Sequence, residues 1–198
     1  MPMRPSEVPK TVRAFVALPV SAGQRNELVR CIAAWRETAP ETVRDFRLAN
    51  PGQAHLTLVF LGEIDVAALP TLANVGREVA RRHAPFVWSL GSLRGEPDAS
   101  HARLVWLEVA RGRDEIVALQ ADLEAALRAT ALYRPERRRF HPHVSFARAR
   151  SKAAPLPDLP PAVGAQATAR VVTLVGSRLA PQGAQHEVLA TAQLGHSD

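Results

Sequence analysis

Hydrophobic and polar positions along the chain follow two periods, one typical of β-strands and one typical of helices. Short β-branched or aromatic runs that end at Gly, Pro or Asn predict strands at residues 12–18, 54–61, 86–93, 103–109, 142–147, 169–179 and 187–194. Apolar residues spaced three and four apart predict helices at 21–39, between Asp65 and His83, and at 114–129. The order of elements is therefore βα, βα, ββ, α, β, ββ.

This mixture of helices and hairpins predicts an α+β fold. Turn-forming residues at 95–98 and 180–183 join neighbouring strands in pairs. We therefore expect a mainly antiparallel sheet with outer helices, rather than a doubly wound parallel sheet. We also expect one domain over residues 1–198, with flexible termini at 1–10 and 195–198 and a linker rich in Pro and Ala at 151–161.

Composition supports a folded domain and excludes several classes of protein. The chain has 198 residues, of which 46% are hydrophobic, and that is enough apolar material for a sizeable core. No apolar run approaches the roughly 18 residues of a membrane span, so we expect no membrane insertion. Cys31 is the single cysteine, which excludes an intramolecular disulfide. The N-terminus lacks a signal-peptide pattern, and nothing demands an oligomer, so a cytoplasmic monomer is expected.

The net charge of +6 is carried almost entirely by arginine, since Lys10 and Lys152 are the only lysines. The planar arginine fork suits phosphate and nucleic acid better than a lysine point charge does. Arg134, Arg137, Arg138 and Arg139 form a basic cluster suited to steering a polyanion. A solvated loop explains that cluster equally well, and an arginine bias can also reflect genomic composition.

Two predicted strands carry the same short pattern of histidine, apolar residue, hydroxyl and apolar residue. It reads HLTL from His55 and HVSF from His143, in the two halves of the chain. Because strand side chains alternate, His55 and Thr57 share one face of their strand, as do His143 and Ser145. A single such histidine is more often structural. Two of them, each opposite an apolar row, indicate a polar cleft with a pseudo-twofold arrangement.

These motifs and their flanking segments resemble one known family. The segments FVALP, HLTLVFLGE, FHPHVSFAR and SRLAPQGAQHEVLA follow one another along nearly the whole chain. Together they resemble the 2H phosphoesterase superfamily, in its branch of RNA 2′,3′-cyclic phosphodiesterases, also described as 2′-5′ RNA ligases. The resemblance implies two pseudo-symmetric lobes around a central cleft. It also implies that His55 and His143 are catalytic and that Thr57 and Ser145 hold the phosphate.

The activity implied by the resemblance is hydrolysis of a terminal 2′,3′-cyclic phosphate of RNA to a 2′-phosphomonoester, with 2′-5′ ligation as the reverse reaction. Neither a metal nor another cofactor is expected, because two histidines can supply both a base for water and an acid for the leaving oxygen. By resemblance, His143 activates water and His55 protonates the 3′-oxygen. Hydroxyl donors at fixed strand positions can stabilise the phosphoryl oxygens.

Four further residues are candidates for substrate binding. Arg148 follows the second motif and is suited to a phosphate contact, although an exposed arginine is often only a solvated charge. His141 stands where relatives often carry arginine. Phe15 and Phe46 are aromatic and could stack a base, although core packing suits Phe15 better. Ser145 in place of threonine keeps the hydroxyl donor, whereas Ala54 and His186 change the expected cleft walls.

Alternatives from other classes remain open at this point. The chain could be a noncatalytic module that binds RNA or nucleotides, although both motifs are intact. It could instead hydrolyse another small cyclic phosphate. A metal hydrolase with His55, His141 and His143 as ligands is disfavoured, because neither motif has a nearby carboxylate or HExxH-like spacing.

Overall fold

The computed structural model describes residues 10–135, 138–157, 164–180 and 183–195. Nine strands form its sheet: β1 Thr11–Pro19, β2 Phe46–Leu48, β3 His55–Asp65, β4 Phe86–Glu96, β5 Leu104–Arg111, β6 His143–Ala149, β7 Gln166–Ala169, β8 Val171–Ala180 and β9 Gly183–Gln193. The helices are α1 Ala22–Thr38, α2 Pro40–Val43, α3 Leu69–Ala80 and α4 Arg113–Arg128. The predicted α+β class is confirmed.

The sheet is antiparallel, and the two motif strands lie at its centre. Its order is β7-β4-β5-β6-β3-β1-β8-β9, with the short β2 also paired to β6. Strands β3 and β6 meet at the pair Leu56 and Val144. Moving outward from β3 the strands are β1, β8 and β9, and moving outward from β6 they are β5, β4 and β7. Each half of the sheet therefore has a histidine strand as its innermost member.

Helix α1 shows how local sequence fixes these elements. The Ser21 side chain accepts a hydrogen bond from the Gln24 main chain, and the Gln24 side chain accepts one from the Ser21 main chain. This capping box satisfies two amides that the first turn would leave unpaired. The buried stripe of α1 ends at Trp35, whose ring packs against Phe46 and Phe146. The helix is thereby held against the face of the sheet opposite the histidines.

Alternation along the central strands separates the core from a second, smaller cluster. Leu56, Leu58, Val144 and Phe146 belong to the main core, which the helices cover. Phe15, Ala17 and Val175 form the second cluster, with Phe60 packed against it. His55 and Thr57 alternate with Leu56 and Leu58, so they project from the face that bears this second cluster.

Three details differ from the sequence-based expectations. The predicted strand 169–179 is divided at Arg170 into β7, which pairs with β4, and β8, which pairs with β1. The strand β2 was not predicted, because three residues are too few to show a period. Ala154 in the predicted linker is buried and exchanges main-chain hydrogen bonds with Ala102, and residues 158–163 of that linker lie outside the described residues.

Both ends of the described chain form main-chain hydrogen bonds to the rest of the fold. The Lys10 carbonyl accepts from the Val66 amide, and the Gly195 amide donates to the Ala80 carbonyl. The remainder of the predicted flexible termini, residues 1–9 and 196–198, lies outside the described residues. Within the described ranges, no helix is long and apolar enough to cross a bilayer.

Candidate active site

The two motif histidines are held by the same local hydrogen bond. His55 Nδ1 lies 2.9 Å from the Gln53 carbonyl oxygen, and His143 Nδ1 lies 2.8 Å from the His141 carbonyl oxygen. Because a carbonyl oxygen only accepts, each Nδ1 carries a proton and donates it. Each ring therefore keeps Nε2 for chemistry, as an acceptor when neutral and as a donor when protonated.

The turn before β3 explains how Gln53 reaches the ring of His55. Residues Pro51–Gln53 form a single 3₁₀ turn, which begins where the Asn50 side chain accepts from the Gly52 amide. Ala54 returns the chain to an extended conformation, and β3 begins at His55. The Asn-Pro-Gly sequence thus directs a main-chain carbonyl toward the first histidine.

His55 lies in an aromatic pocket on the face of the sheet that bears the second cluster. Its ring stacks on Phe15 at 4.6 Å between centroids and 22° between planes. The His186 ring meets both edge-on, at 4.9 Å from His55 and 5.2 Å from Phe15. Burial lowers the pKa of His55, and His186 and His143 lower it further, while the Gln53 carbonyl partly opposes them. The neutral ring is thereby favoured in the free protein.

His143 has a corresponding aromatic neighbour on the other half of the sheet. Trp106 of β5 lies 5.1 Å from His143 and 6.0 Å from His141, measured between ring centroids. Phe15 and Trp106 thus occupy equivalent places, each on the strand next to a histidine strand. In β-sheet register, Glu108 lies opposite His143 and forms an ion pair with Arg94 at 3.0 Å.

The two motif hydroxyls accompany their histidines. Thr57 lies two residues after His55 on β3 and is half-buried, and Ser145 lies two residues after His143 on β6 and is exposed. The central pairing of Leu56 with Val144 sets these two segments side by side. The motif histidines and hydroxyls thus come from adjacent strands.

Arginines extend the site beyond Ser145. In register, Arg148 of β6 lies opposite Arg47 of β2 and opposite Leu104 of β5. Both arginines are exposed. Like charges directly opposite each other in a sheet repel, and an anion between them would relieve that repulsion. This position suits the phosphate contact predicted for Arg148.

The two predicted aromatic candidates fall in different places. Phe15 lies under the His55 ring, where only 4% of it is exposed, so its contact is with the histidine rather than with a free base. Phe46 packs on Trp35 in the main core and is 1% exposed, so the prediction that it stacks a base is wrong. Burial of β2 against β6 removes the Phe46 ring from the cleft.

The basic cluster and His141 are only partly near the histidines. His141 and Arg139 share a small cavity with Arg113, while Arg134 and Arg138 are exposed. Arg137 lies outside the described residues. In the part of the chain that the structure describes, no group of three His, Cys, Asp or Glu side chains has an arrangement that could hold a metal ion.

Sequence reasoning missed three residues of the site. Trp106 gives no signal of function in the sequence, because its strand shows an ordinary half-buried pattern, and His186 predicts only a change in the cleft wall. Arg113 stands at the start of a helix, where an arginine gives no signal of function. Their positions depend on which strands are neighbours in the sheet, and no local period carries that information.

Comparisons with known proteins agree with the fold and identify a family. A family model described as the 2′-5′ RNA ligase superfamily matches residues 24–179. An RNA 2′,3′-cyclic phosphodiesterase of Thermus thermophilus is 32% identical over 168 residues, covering 82% of this chain and 83% of that protein. Another of the same name, from Aeropyrum pernix, is 30% identical over 122 residues, covering 61% of this chain and 67% of the relative.

A solved structure has a similar fold. The crystal structure of the Thermus thermophilus protein TT0787 superimposes with a TM-score of 0.77 and 29% sequence identity, covering 93% of this chain and 100% of that chain. The family model spans well over half of the chain and includes both motifs. The chain therefore belongs to the 2′-5′ RNA ligase superfamily.

Proposed function

We propose that this protein is an RNA 2′,3′-cyclic phosphodiesterase that opens a terminal cyclic phosphate to a 2′-phosphomonoester. The observation that carries the proposal is the matched pair of histidines, each with Nδ1 bonded to a carbonyl and Nε2 left for proton transfer. Cyclic phosphate opening needs one base and one acid on opposite sides of phosphorus, and this pair supplies both. The names of the relatives support the same substrate.

The steps follow from the geometry of the site. One histidine takes a proton from water through Nε2, and the water oxygen forms a bond to phosphorus. The bond between phosphorus and the ribose 3′-oxygen breaks, and the other histidine gives its Nε2 proton to that oxygen. The hydroxyls of Thr57 and Ser145, with Arg148, donate to the phosphoryl oxygens as their charge changes. The product keeps the phosphate on the 2′-oxygen.

The environment of His55 favours it as the base. Its lowered pKa keeps Nε2 unprotonated in the free protein, which is the form that accepts a proton from water. His143, on the more open half of the site, then serves as the acid. This is the reverse of the assignment implied by the family resemblance. With a 5′-hydroxyl in place of water, the same pair of proton transfers opens the 2′,3′-cyclic phosphate onto that hydroxyl, which is 2′-5′ ligation.

The decisive experiment is incubation of the protein, in excess EDTA, with a short RNA that ends in a 2′,3′-cyclic phosphate. We expect a 2′-phosphate product from the wild type, and none from His55→Ala or His143→Ala. His101→Ala is the matched control, because His101 is exposed and pairs only with Asp98 among the described residues. Binding without turnover would instead support a noncatalytic RNA module, and turnover lost only with EDTA would support a metal enzyme.

A parallel assay with 2′,3′-cyclic mononucleotides tests the range of substrates. Hydrolysis of these alone, with the RNA end untouched, would reassign the enzyme to small cyclic phosphates. The expectations of a monomer and a cytoplasmic location stay predictions, to be checked by light scattering and by fractionation of cells.

A further inference from the structure

A small basic cavity of about 230 Å³ adjoins the second motif. It is lined by Arg113, Arg139, Phe140 and His141. Arg113 opens helix α4, and the other three residues directly precede Pro142 and the β6 histidine. Its lining thus combines two cationic side chains, an imidazole and a half-buried aromatic ring, with no carboxylate among the described lining residues.

The hydrogen bond between Arg113 and His141 fixes the form of that imidazole. Arg113 Nη2 lies 3.3 Å from His141 Nδ1, and a guanidinium can only donate. His141 Nδ1 is therefore an acceptor, so the neutral ring carries its proton on Nε2 and can donate it to a ligand. Burial and the neighbouring Arg113 both lower the pKa of His141, while Glu108 and Glu96 oppose them.

The two guanidinium groups of the cavity have no carboxylate partner within the described structure. Neither Arg113 nor Arg139 forms an ion pair with any described acidic residue, and Glu108 is engaged with Arg94 at 3.0 Å. Two unpaired guanidinium groups beside donor groups favour a phosphate, which accepts from several donors at once. The ring of Phe140 is half-buried against the main core and forms the apolar wall of the cavity.

The cavity adjoins the catalytic histidine. Trp106 contacts both rings, with centroids 6.0 Å from His141 and 5.1 Å from His143. His141 and His143 are also two residues apart along an extended segment, a separation of roughly 6–7 Å. A ligand that fills the cavity is therefore a direct neighbour of a cyclic phosphate bound between the two motifs.

We infer that this cavity, formed by Arg113, Arg139, Phe140 and His141, binds the phosphate on the 5′ side of the terminal nucleotide. The inference rests on the proposed function, in which the cyclic phosphate is the 3′ end of the substrate. No phosphate lies beyond that end, so a second phosphate next to the site belongs to the 5′ side. The cavity thus selects 5′-phosphorylated nucleotides and RNA chains over nucleosides that carry the cyclic phosphate alone.

Three substrates test this inference: adenosine 2′,3′-cyclic phosphate with a 5′-hydroxyl, the same compound with a 5′-phosphate, and the dinucleotide ApA with a 2′,3′-cyclic phosphate. We expect kcat/KM for the two 5′-phosphorylated substrates to exceed that for the 5′-hydroxyl compound by about 10-fold or more, since charge-assisted contacts to a phosphate are strong. In Arg113→Gln and Arg139→Gln this ratio should fall toward one.

Arg36→Gln is the matched control, because it removes the same charge from the exposed end of α1. It should leave the ratio at its wild-type value. Salt provides a second measurement: the salt dependence of kcat/KM for the dinucleotide should become shallower by about one phosphate contact in Arg113→Gln.

Equal kcat/KM for the three substrates in the wild type would overturn the inference, as would an equal loss for all three in Arg113→Gln. A preference for the dinucleotide alone would also overturn it, because base stacking rather than phosphate binding would then be the cause. Failure to hydrolyse any of the three would count against the proposed function itself, so the two failures are distinguishable.

Discussion

His55 and His143 each donate an Nδ1 proton to the main-chain carbonyl two residues before them, at 2.9 and 2.8 Å. The two rings come from different halves of the sheet, yet they have the same tautomer and the same anchor. Their surroundings differ: Phe15 and His186 enclose His55, whereas Trp106 lies beside His143. A matched pair in unequal surroundings is suited to two distinct proton-transfer roles.

Replacement of either histidine should remove nearly all of the turnover. We expect His55→Ala and His143→Ala each to lower kcat/KM for an RNA 2′,3′-cyclic phosphate by about 100- to 10,000-fold, the usual contribution of a positioned acid or base. Circular dichroism and thermal melting should show both variants folded, since neither ring belongs to the main core. Retention of more than a tenth of the activity by either variant would rule out its catalytic role.

Removal of a motif hydroxyl should lower the rate by a smaller factor than removal of a motif histidine. Thr57→Ala and Ser145→Ala each remove one donor aimed at the phosphate, which should cost on the order of 100-fold in kcat. Thr57→Ser and Ser145→Thr keep the donor and serve as controls, with rates close to that of the wild type. Should the alanine and hydroxyl-retaining variants behave alike, the hydroxyls do not contact the phosphate.

The pH profile should separate the base from the acid. Activity rises with pH as the base loses its proton, so with His55 as base the midpoint of the acid limb lies below the ordinary histidine pKa. In His186→Gln the ring that packs on His55 and lowers its pKa is lost, and so is part of the burial of His55, so the pKa of His55 rises. The acid limb should therefore move to higher pH while the alkaline limb stays in place.

The control for this profile is His101→Gln, which removes a histidine away from the site and should leave both limbs unchanged. Movement of the alkaline limb in His186→Gln would instead identify His55 as the acid. One charged group on a neighbouring strand lies beside this pocket: Arg13 of β1, whose guanidinium covers the Phe60 ring of the second cluster.

Trp35 should be a main determinant of stability. It is fully buried, donates from Nε1 to the Thr42 hydroxyl at 2.8 Å, and packs against Phe46 and Phe146. Trp35→Ala should lower the free energy of unfolding by about 3–5 kcal/mol, as large truncations in well-packed cores do. Denaturant unfolding measures this change, and Val29→Ala, at an exposed position of the same helix, should change it little. A loss below about 1 kcal/mol would show that the core collapses around the cavity.

The sequence carried most of the information about β3, β6 and the face to which their histidines point. Period-two alternation sets side-chain direction within one strand, so His55 and Thr57 could be placed together without knowing the fold. The family resemblance supplied the catalytic roles of the two histidines and the phosphate-binding roles of the two hydroxyls. The partners of each ring could not be predicted, because Phe15, Trp106 and His186 reach the site through the order of strands in the sheet. That order depends on tertiary packing rather than on any local pattern.

Arg170 separates β7 from β8, although six strand spacings lie between them in the sheet order. In a flat sheet those spacings would put the two strands about 29 Å apart, whereas one intervening residue spans about 7 Å. The sheet must therefore curve until the end of β7 lies next to the start of β8, and Arg170 joins these two strands covalently. The curvature follows from covalent reach, and this short connection limits how far the two halves of the sheet can spread apart. Inserting a few glycines at Arg170 would release that constraint without altering any side chain of the site.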